Sequence, residues 1–280
     1  MIAKIRNGLI LLFVAAITTA VAVSQPMVLK TGWGNPALIP RLWHKAILWA
    51  LGFRVHVIGA PATQRPLLVV ANHISWTDIP VLGSVVDVSF IAKAQMQGWP
   101  LMGWLSTLQR TVFVERERRQ KSGDQASEIG ERLKAGEAMA LFAEGTTGDG
   151  NMMLPFKSTL FGAATMAIDK GAIDKGAADK ERAGQGGVRE VTIQPMAIAY
   201  VRRHGMPLGR AGRMALSWIG DQDLVPHIAG LLKQGAVDVE VRFGEPVTFS
   251  AGSNRKEVAR LVEARVKAMA QAALYGSRPD

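Results

Sequence analysis

From Gly8 to Leu29 the chain carries no charged side chain, and from Gly8 to Val23 it is almost wholly apolar. As a helix these 22 residues would reach about 33 Å, close to the thickness of a bilayer core. Lys4 and Arg6 precede the run, and the small triplet Ala20-Val21-Ala22 lies within it. A cleaved signal peptide and a membrane anchor both fit this pattern. A helix in a soluble core fits less well, because so uniform a run leaves no polar face for water. Residues Ala37 to Phe53 form a second candidate segment. Leu38, Leu42, Ile47, Leu48 and Leu51 alternate there with Arg41, His44 and Lys45, beside Trp43 and Trp49. Basic residues and tryptophans on an amphipathic stretch suit the headgroup interface, and they equally suit a helix facing a core.

The net charge of +10 and pI of about 10.1 call for a polyanion, either nucleic acid or an anionic membrane surface. No readable nucleic-acid module accompanies the charge, so the apolar N-terminus favours lipid. Cysteine is absent, which excludes disulfides, thiolate-bound zinc and a thiol nucleophile. His44, His56, His204 and His227 are scattered without ligand spacing, so no metal site is expected.

Beyond Gly59, short apolar runs alternate with longer mixed segments. Leu67–Ala71, Phe90–Ala92, Thr111–Val114, Ala138–Phe142, Val191–Ala199, Met214–Ile219 and Val237–Phe243 read as strands. Gln120–Ala135, Ser158–Asp169 and Asn254–Leu274 read as helices. The alternation predicts an α/β fold, a mixed and largely parallel sheet flanked by helices, with a membrane-associated helical segment at the N-terminus. The expected organisation is an anchor and amphipathic segment over 1–53, a catalytic domain over 54–250 and a C-terminal helix over 251–280 packed on that domain. The repeat Ala167-Ile-Asp-Lys-Gly171, Ala172-Ile-Asp-Lys-Gly176, Ala177-Ala-Asp-Lys180 is too polar to fold alone and predicts an exposed insertion near 169–189.

The chemistry centres on Asn72-His73-Ile74-Ser75-Trp76-Thr77-Asp78-Ile79-Pro80, directly after the Leu67–Ala71 run. Ser75 or Thr77 is placed to cap a following helix, and Asp78 can fold back onto the His73 ring. An aspartate on one ring nitrogen fixes the tautomer and leaves the other nitrogen free to accept a proton. The nucleophile of a triad is missing, since the chain has neither cysteine nor a G-x-S-x-G elbow. A base without a protein nucleophile should activate a substrate hydroxyl. By itself the His-x4-Asp spacing is a weak signal, and a structural histidine bonded to a local aspartate is the default reading of it.

Three further blocks follow in order: Gln109-Arg-Thr-Val-Phe-Val-Glu-Arg116, Phe142-Ala-Glu-Gly-Thr-Thr147 and Ile193-Gln-Pro-Met-Ala-Ile198. With N-H-x-S-x-x-D they resemble the four ordered blocks of the 1-acylglycerol-3-phosphate acyltransferase family of glycerolipid acyltransferases, from about Arg54 to Phe243. The resemblance implies transfer of a fatty acyl chain from acyl carrier protein or coenzyme A thioester to the hydroxyl of a lysolipid, with no cofactor. It implies His73 as base, Asp78 as its orienting partner, Arg116 as a contact to the acceptor phosphate, and Glu144, Gly145 and Thr146 as residues shaping the acceptor site. Cytosolic thioester donors then favour a retained anchor over a signal peptide. They place the protein at the inner (cytoplasmic) membrane, with its active site on the cytoplasmic side, an anionic membrane as partner and nucleic acid excluded.

Two residues depart from the family pattern. Ala143 replaces a proline, and Thr147 replaces an arginine whose fork would grip a phosphate. Lys157 is a candidate replacement charge. The default acceptor is 1-acyl-glycerol-3-phosphate, giving phosphatidic acid. The alternative is lyso-ornithine lipid, because Glu144-Gly-Thr-Thr-Gly-Asp-Gly150, Leu154-Pro-Phe-Lys-Ser158 and Arg202-Arg-His-Gly-Met-Pro-Leu-Gly-Arg210 resemble bacterial lyso-ornithine lipid acyltransferases. Readings of other classes are a non-catalytic membrane lipid-binding protein and a hydrolase using the same His–Asp pair on water.

Overall fold

The computed structural model describes residues 2–99, 102–114, 128–168, 188–220 and 222–276. Helix α1 (Ile2–Thr31) and helix α2 (Leu38–Leu51) come first, followed by strands β1 (Phe53–Ile58) and β2 (Leu67–Ala71). Helix α3 (Asp78–Val85) leads to β3 (Ser89–Lys93), α4 (Met102–Leu108) and β4 (Val112–Val114). Helix α5 (residues 128–134) precedes β5 (Ala138–Phe142), and α6 (Gly162–Ala167) follows it. Strands β6 (Glu190–Arg203) and β7 (Met206–Pro207), helices α7 (Arg210–Met214) and α8 (Leu224–Gln234), strands β8 (Val237–Phe243) and β9 (Val247–Ser250), and helix α9 (Arg255–Tyr275) complete the order.

Among the described residues the strands form one sheet in the order β1-β8-β6-β2-β5-β3-β4, with β7 and β9 paired to β6. The β6–β8 pair is antiparallel, as are β6–β7 and β6–β9, while every other pair is parallel. The mixed, largely parallel sheet is thus present. Strand β2 lies at its centre with all five residues buried, as a strand covered on both faces must be. Successive side chains point to opposite faces. Leu67, Val69 and Ala71 join one core with Ile47, Leu48 and Leu51 of α2 and Val81 and Leu82 of α3. Leu68 and Val70 join the other with Ile129 and Leu133 of α5 and Val258, Val262 and Val266 of α9. Asn254 caps α9, its side chain accepting from the Lys256 N–H.

Pro195, which lacks an N–H, is tolerated inside β6 because the antiparallel partner changes there. Ile193 pairs with Val247 of β9, and Met196 pairs with Phe243 of β8.

Helix α1 is tied to the rest of the molecule at several points. Arg6 donates to the Leu232 carbonyl, the Trp43 indole donates to Thr18, and Gln25 donates to the carbonyls of Pro36 and Leu108. Ile10, Val14 and Ile17 pack on the first core, while Ile5, Leu9, Leu12, Val23 and Met27 are exposed. The second expected segment is a helix with one face in the core. In α2 the face with His44, Ile47, Leu48 and Leu51 is buried, and Leu38, Leu42 and Trp49 are exposed.

One expected strand is absent. Met214–Ile219 forms the end of α7 and a turn, in which Leu216 and Ser217 are buried and the Trp218 N–H donates to the Ile74 carbonyl. The apolar alternation there serves the site loop, not the sheet. The repeat segment beyond Ile168, Arg116 and the first part of the expected 120–135 helix lie outside the described residues.

Candidate active site

The site lies at the carboxyl edge of the parallel strands, where an α/β sheet displays its loops. Strands β2 and β5 run side by side in parallel, with Ala71 opposite Phe142. The residues that follow each strand therefore emerge together, and His73 meets Glu144 although 71 residues separate them. Asn72 secures the exit from β2. Its amide donates to the Ile198 carbonyl and accepts from the Ile198 N–H, at 2.9 and 2.8 Å, extending the ladder to β6 through a side chain.

His73 Nδ1 lies 2.9 Å from Asp78 Oδ2. The same oxygen accepts the N–H groups of Ile74 and Ser75, at 2.5 and 2.9 Å. The loop therefore closes on the aspartate itself; neither Ser75 nor Thr77 provides the side-chain cap that the sequence suggested. Thr77 instead bonds Tyr200, whose hydroxyl donates to Asp78 Oδ1 at 2.6 Å. Tyr200 is fully buried, and burial together with the Asp78 charge holds its phenol well above the ordinary range, so it remains a donor. Asp78 is fully buried, and both of its oxygens are engaged in hydrogen bonds. An Nδ1–H donated to this carboxylate leaves Nε2 with a free lone pair. The ring stacks on Phe142, with centroids 4.0 Å apart.

Glu144 braces the loop from the other side. Oε1 accepts the His73 N–H and Oε2 accepts the Leu154 N–H, each at 2.7 Å. Burial raises its pKa to about 7 against the pull of those two bonds. The folded protein then holds a proton that the unfolded chain releases near pH 4.5. The stability this confers is complete below that value and is lost as pH rises to about 7. The effect is on the order of 3 kcal/mol. Wild-type melting temperatures should fall over this interval and level off above it. Glu144→Gln, neutral throughout, should start lower for loss of one N–H contact and should lack that slope. Parallel slopes for the two proteins would exclude Glu144 as the titrating group.

Two clefts open on His73. One, of about 610 Å³, is walled by Phe90, Phe142, Trp76, Trp99, Trp218 and Gly145–Thr147, with Lys93 and Asp223 on its lining. The other, of about 310 Å³, runs past Glu144 to Arg210 and Lys267. The structure thus brings His73, Asp78, Glu144, Gly145 and Thr146 together. Lys157 is exposed and lines neither cleft. Arg116 lies outside the described residues. Sequence reasoning assigned no role to Tyr200, Lys93, Trp99 or Trp218. Lys93 was detectable, because it ends an apolar strand at the edge where sites form. Tyr200 carried no such signal, since only the pairing of β6 beside β2 brings it under Asp78.

Chemically, Nε2 can take a proton from a hydroxyl whose oxygen attacks a carbonyl carbon. Ser75, the hydroxyl residue nearest in sequence, is fully buried and its Oγ finds no partner among the described residues, so it is closed to substrate. A sequence profile described as Acyltransferase matches residues 53–199. The chain belongs to the acyltransferase family.

The acyltransferase is 48% identical to the lyso-ornithine lipid O-acyltransferase of Brucella abortus, over 99% of this chain and 98% of that one. It is 46% identical to the protein of the same description from Rhizobium meliloti, over 85% and 76%. The crystal structure of the 1-acyl-sn-glycerophosphate (LPA) acyltransferase PlsC from Thermotoga maritima superposes with a TM-score of 0.62 over 99% of both chains, at 22% identity, which shows a shared fold. The protein transfers acyl groups to a lipid acceptor, and its apolar N-terminal helix associates it with membranes. This sets aside the non-catalytic lipid-binding reading.

Proposed function

We propose that this acyltransferase esterifies the free hydroxyl of lyso-ornithine lipid with a fatty acyl chain from acyl carrier protein or coenzyme A thioester, giving ornithine lipid. The observation that carries this reading is the end-to-end likeness to the Brucella abortus enzyme. It displaces 1-acyl-glycerol-3-phosphate, the default from the sequence. Thr147 agrees with it: the residue lies on the wall of the Trp-lined cleft, where a threonine offers no bidentate grip on a phosphate monoester.

His73 Nε2 deprotonates the acceptor hydroxyl as its oxygen bonds to the thioester carbonyl carbon. Asp78 balances the imidazolium that forms. Collapse of the tetrahedral intermediate breaks the C–S bond, and the imidazolium returns the proton to the departing sulfur. A direct transfer of this kind needs both substrates at one base, and the meeting of two clefts at His73 supports it. The acceptor is assigned to the aromatic cleft. The donor is assigned to the cleft with Arg210 and Lys267, whose side chains are unpaired among the described residues and suit the phosphates of a pantetheine arm. The bonds from α1 to Leu232, Pro36 and Leu108 favour a helix lying in one leaflet at the cytoplasmic face of the inner membrane, its exposed apolar side in lipid.

Membrane fractions offered lyso-ornithine lipid and lysophosphatidate, each with acyl-carrier-protein and coenzyme A donors, test the reading. Ester formation on lyso-ornithine lipid at the higher kcat/KM is expected. A preference for lysophosphatidate would overturn the assignment of acceptor. Thioester consumption unaffected by either lysolipid would point to hydrolysis.

A further inference from the structure

The lining of the aromatic cleft is selective in its charge. Apart from His73, its only ionisable side chains among the described residues are Lys93 and Asp223, one of each sign. Both are exposed, and neither side chain has a hydrogen-bond or ion-pair partner among the described residues. Lys93 ends β3, whereas Asp223 immediately precedes α8, so two separate elements bring the charges to one cavity.

Asp223 is the more informative of the two. It occupies the N-cap of α8 in an extended conformation, φ −64° and ψ 129°, where an aspartate ordinarily accepts a backbone N–H of the first turn. Its side chain makes no such bond. The carboxylate is left uncommitted on the wall of a cavity that also presents three indoles. Those rings are held in place: the Trp76 N–H donates to His227 Nδ1, the Trp218 N–H donates to the Gln222 carbonyl, and Trp99 packs edge-on against Trp218 at 5.8 Å. Fixed indoles beside a carboxylate attract a cation. A dianionic phosphate monoester would be repelled by Asp223, whereas a head carrying one ammonium and one carboxylate meets a complementary charge for each.

We propose that Lys93 and Asp223 are the residues that select the acceptor's head group, Lys93 pairing with its carboxylate and Asp223, beside the indoles, with its ammonium. The inference rests on the lyso-ornithine reading above and adds the recognition of a zwitterion. It gives the cleft two functions, since its apolar walls bring the hydroxylated chain to His73 while its charges fix the head.

The test uses the full chain in detergent with an acyl-carrier-protein thioester, and compares lyso-ornithine lipid with its N-acetylated analogue, which keeps the carboxylate but lacks the ammonium. Asp223→Asn should lower kcat/KM for lyso-ornithine lipid roughly ten- to a hundred-fold, the scale of one charge-assisted hydrogen bond. The same substitution should cost the analogue far less, because that partner is already gone. Lys93→Gln should lower kcat/KM for both compounds, since both retain the carboxylate. Asp223→Lys should raise the ratio of lysophosphatidate to lyso-ornithine lipid turnover. Unaltered melting temperatures would attribute the changes to recognition. If the wild type acylates lyso-ornithine lipid and Asp223→Asn matches it, or loses equally on both compounds, the head-group assignment fails while the proposed function stands. If the wild type does not acylate lyso-ornithine lipid, both fall.

Discussion

His73→Ala should lower kcat roughly 10²–10⁴-fold, the usual worth of a positioned general base, while the protein remains folded. Folding should persist because Asp78 Oδ2 retains the N–H groups of Ile74 and Ser75, and Oδ1 retains the Tyr200 hydroxyl. The backbone bonds of residue 73, from its N–H to Glu144 and from the Gly148 N–H to its carbonyl, do not depend on the side chain. What is lost is the ring stacked on Phe142 and its bond to Asp78, a stability change of about 1–3 kcal/mol. Because the ring borders two open clefts, added imidazole should restore part of the activity of the alanine variant. Turnover within a few-fold of wild type in a folded His73→Ala protein would remove the histidine from the mechanism.

Asp78→Asn should be comparably severe, roughly 10³–10⁴-fold in kcat, for a different reason. An asparagine can keep the loop closed if its carbonyl oxygen takes the place of Oδ2 and accepts from His73, Ile74 and Ser75. Its amide then faces Tyr200, whose hydroxyl can accept from it and donate to Thr77 instead. The fold survives, but the negative charge opposite the imidazolium is gone. With the amide turned the other way, its NH2 would meet the backbone donors of Ile74 and Ser75 and force the wrong tautomer on His73. Asp78→Ala should destabilise more than Asp78→Asn, since it leaves buried donors unpaired at about 1–3 kcal/mol each. A melting curve for each variant separates the two effects. An asparagine variant that turns over like wild type would show that the charge on Asp78 contributes nothing to the chemistry.

The residues of the proposed acceptor cleft are ones that residue order does not single out. Residue order directs attention for phosphate recognition to Arg116 and Thr147 in the family blocks and to Lys157 outside them. Thr147 lies on the cleft wall, and Lys157 sits away from His73 in the turn after Phe156. Asp223 and Trp218 lie beyond the last block in regions without a recognisable pattern, and Met214–Ile219 even mimicked a strand there. A loop that closes over a site has no periodicity of its own, because its side chains answer to the cavity and not to a repeating backbone geometry.

The sequence by itself determined the alternating α/β architecture, the apolar N-terminal segment and the pairing of His73 with Asp78. Each of these depends on short-range order: runs of buried residues that mark strands, a long uncharged stretch, and two reactive groups on one loop. The tertiary structure alone decided what surrounds that pair. Parallel register between β2 and β5 places Glu144 against the His73 backbone, and β6 beside β2 sets Tyr200 beneath Asp78. The fold also brings the end of β3 and the start of α8 to one cleft, so that Lys93 and Asp223 line a single cavity. The first two are contacts between residues 71 and 122 positions apart, and the two cleft residues lie 130 positions apart in the chain. Strand order and register set such distances, and both follow from how the whole set of apolar faces packs, which no local window of sequence contains.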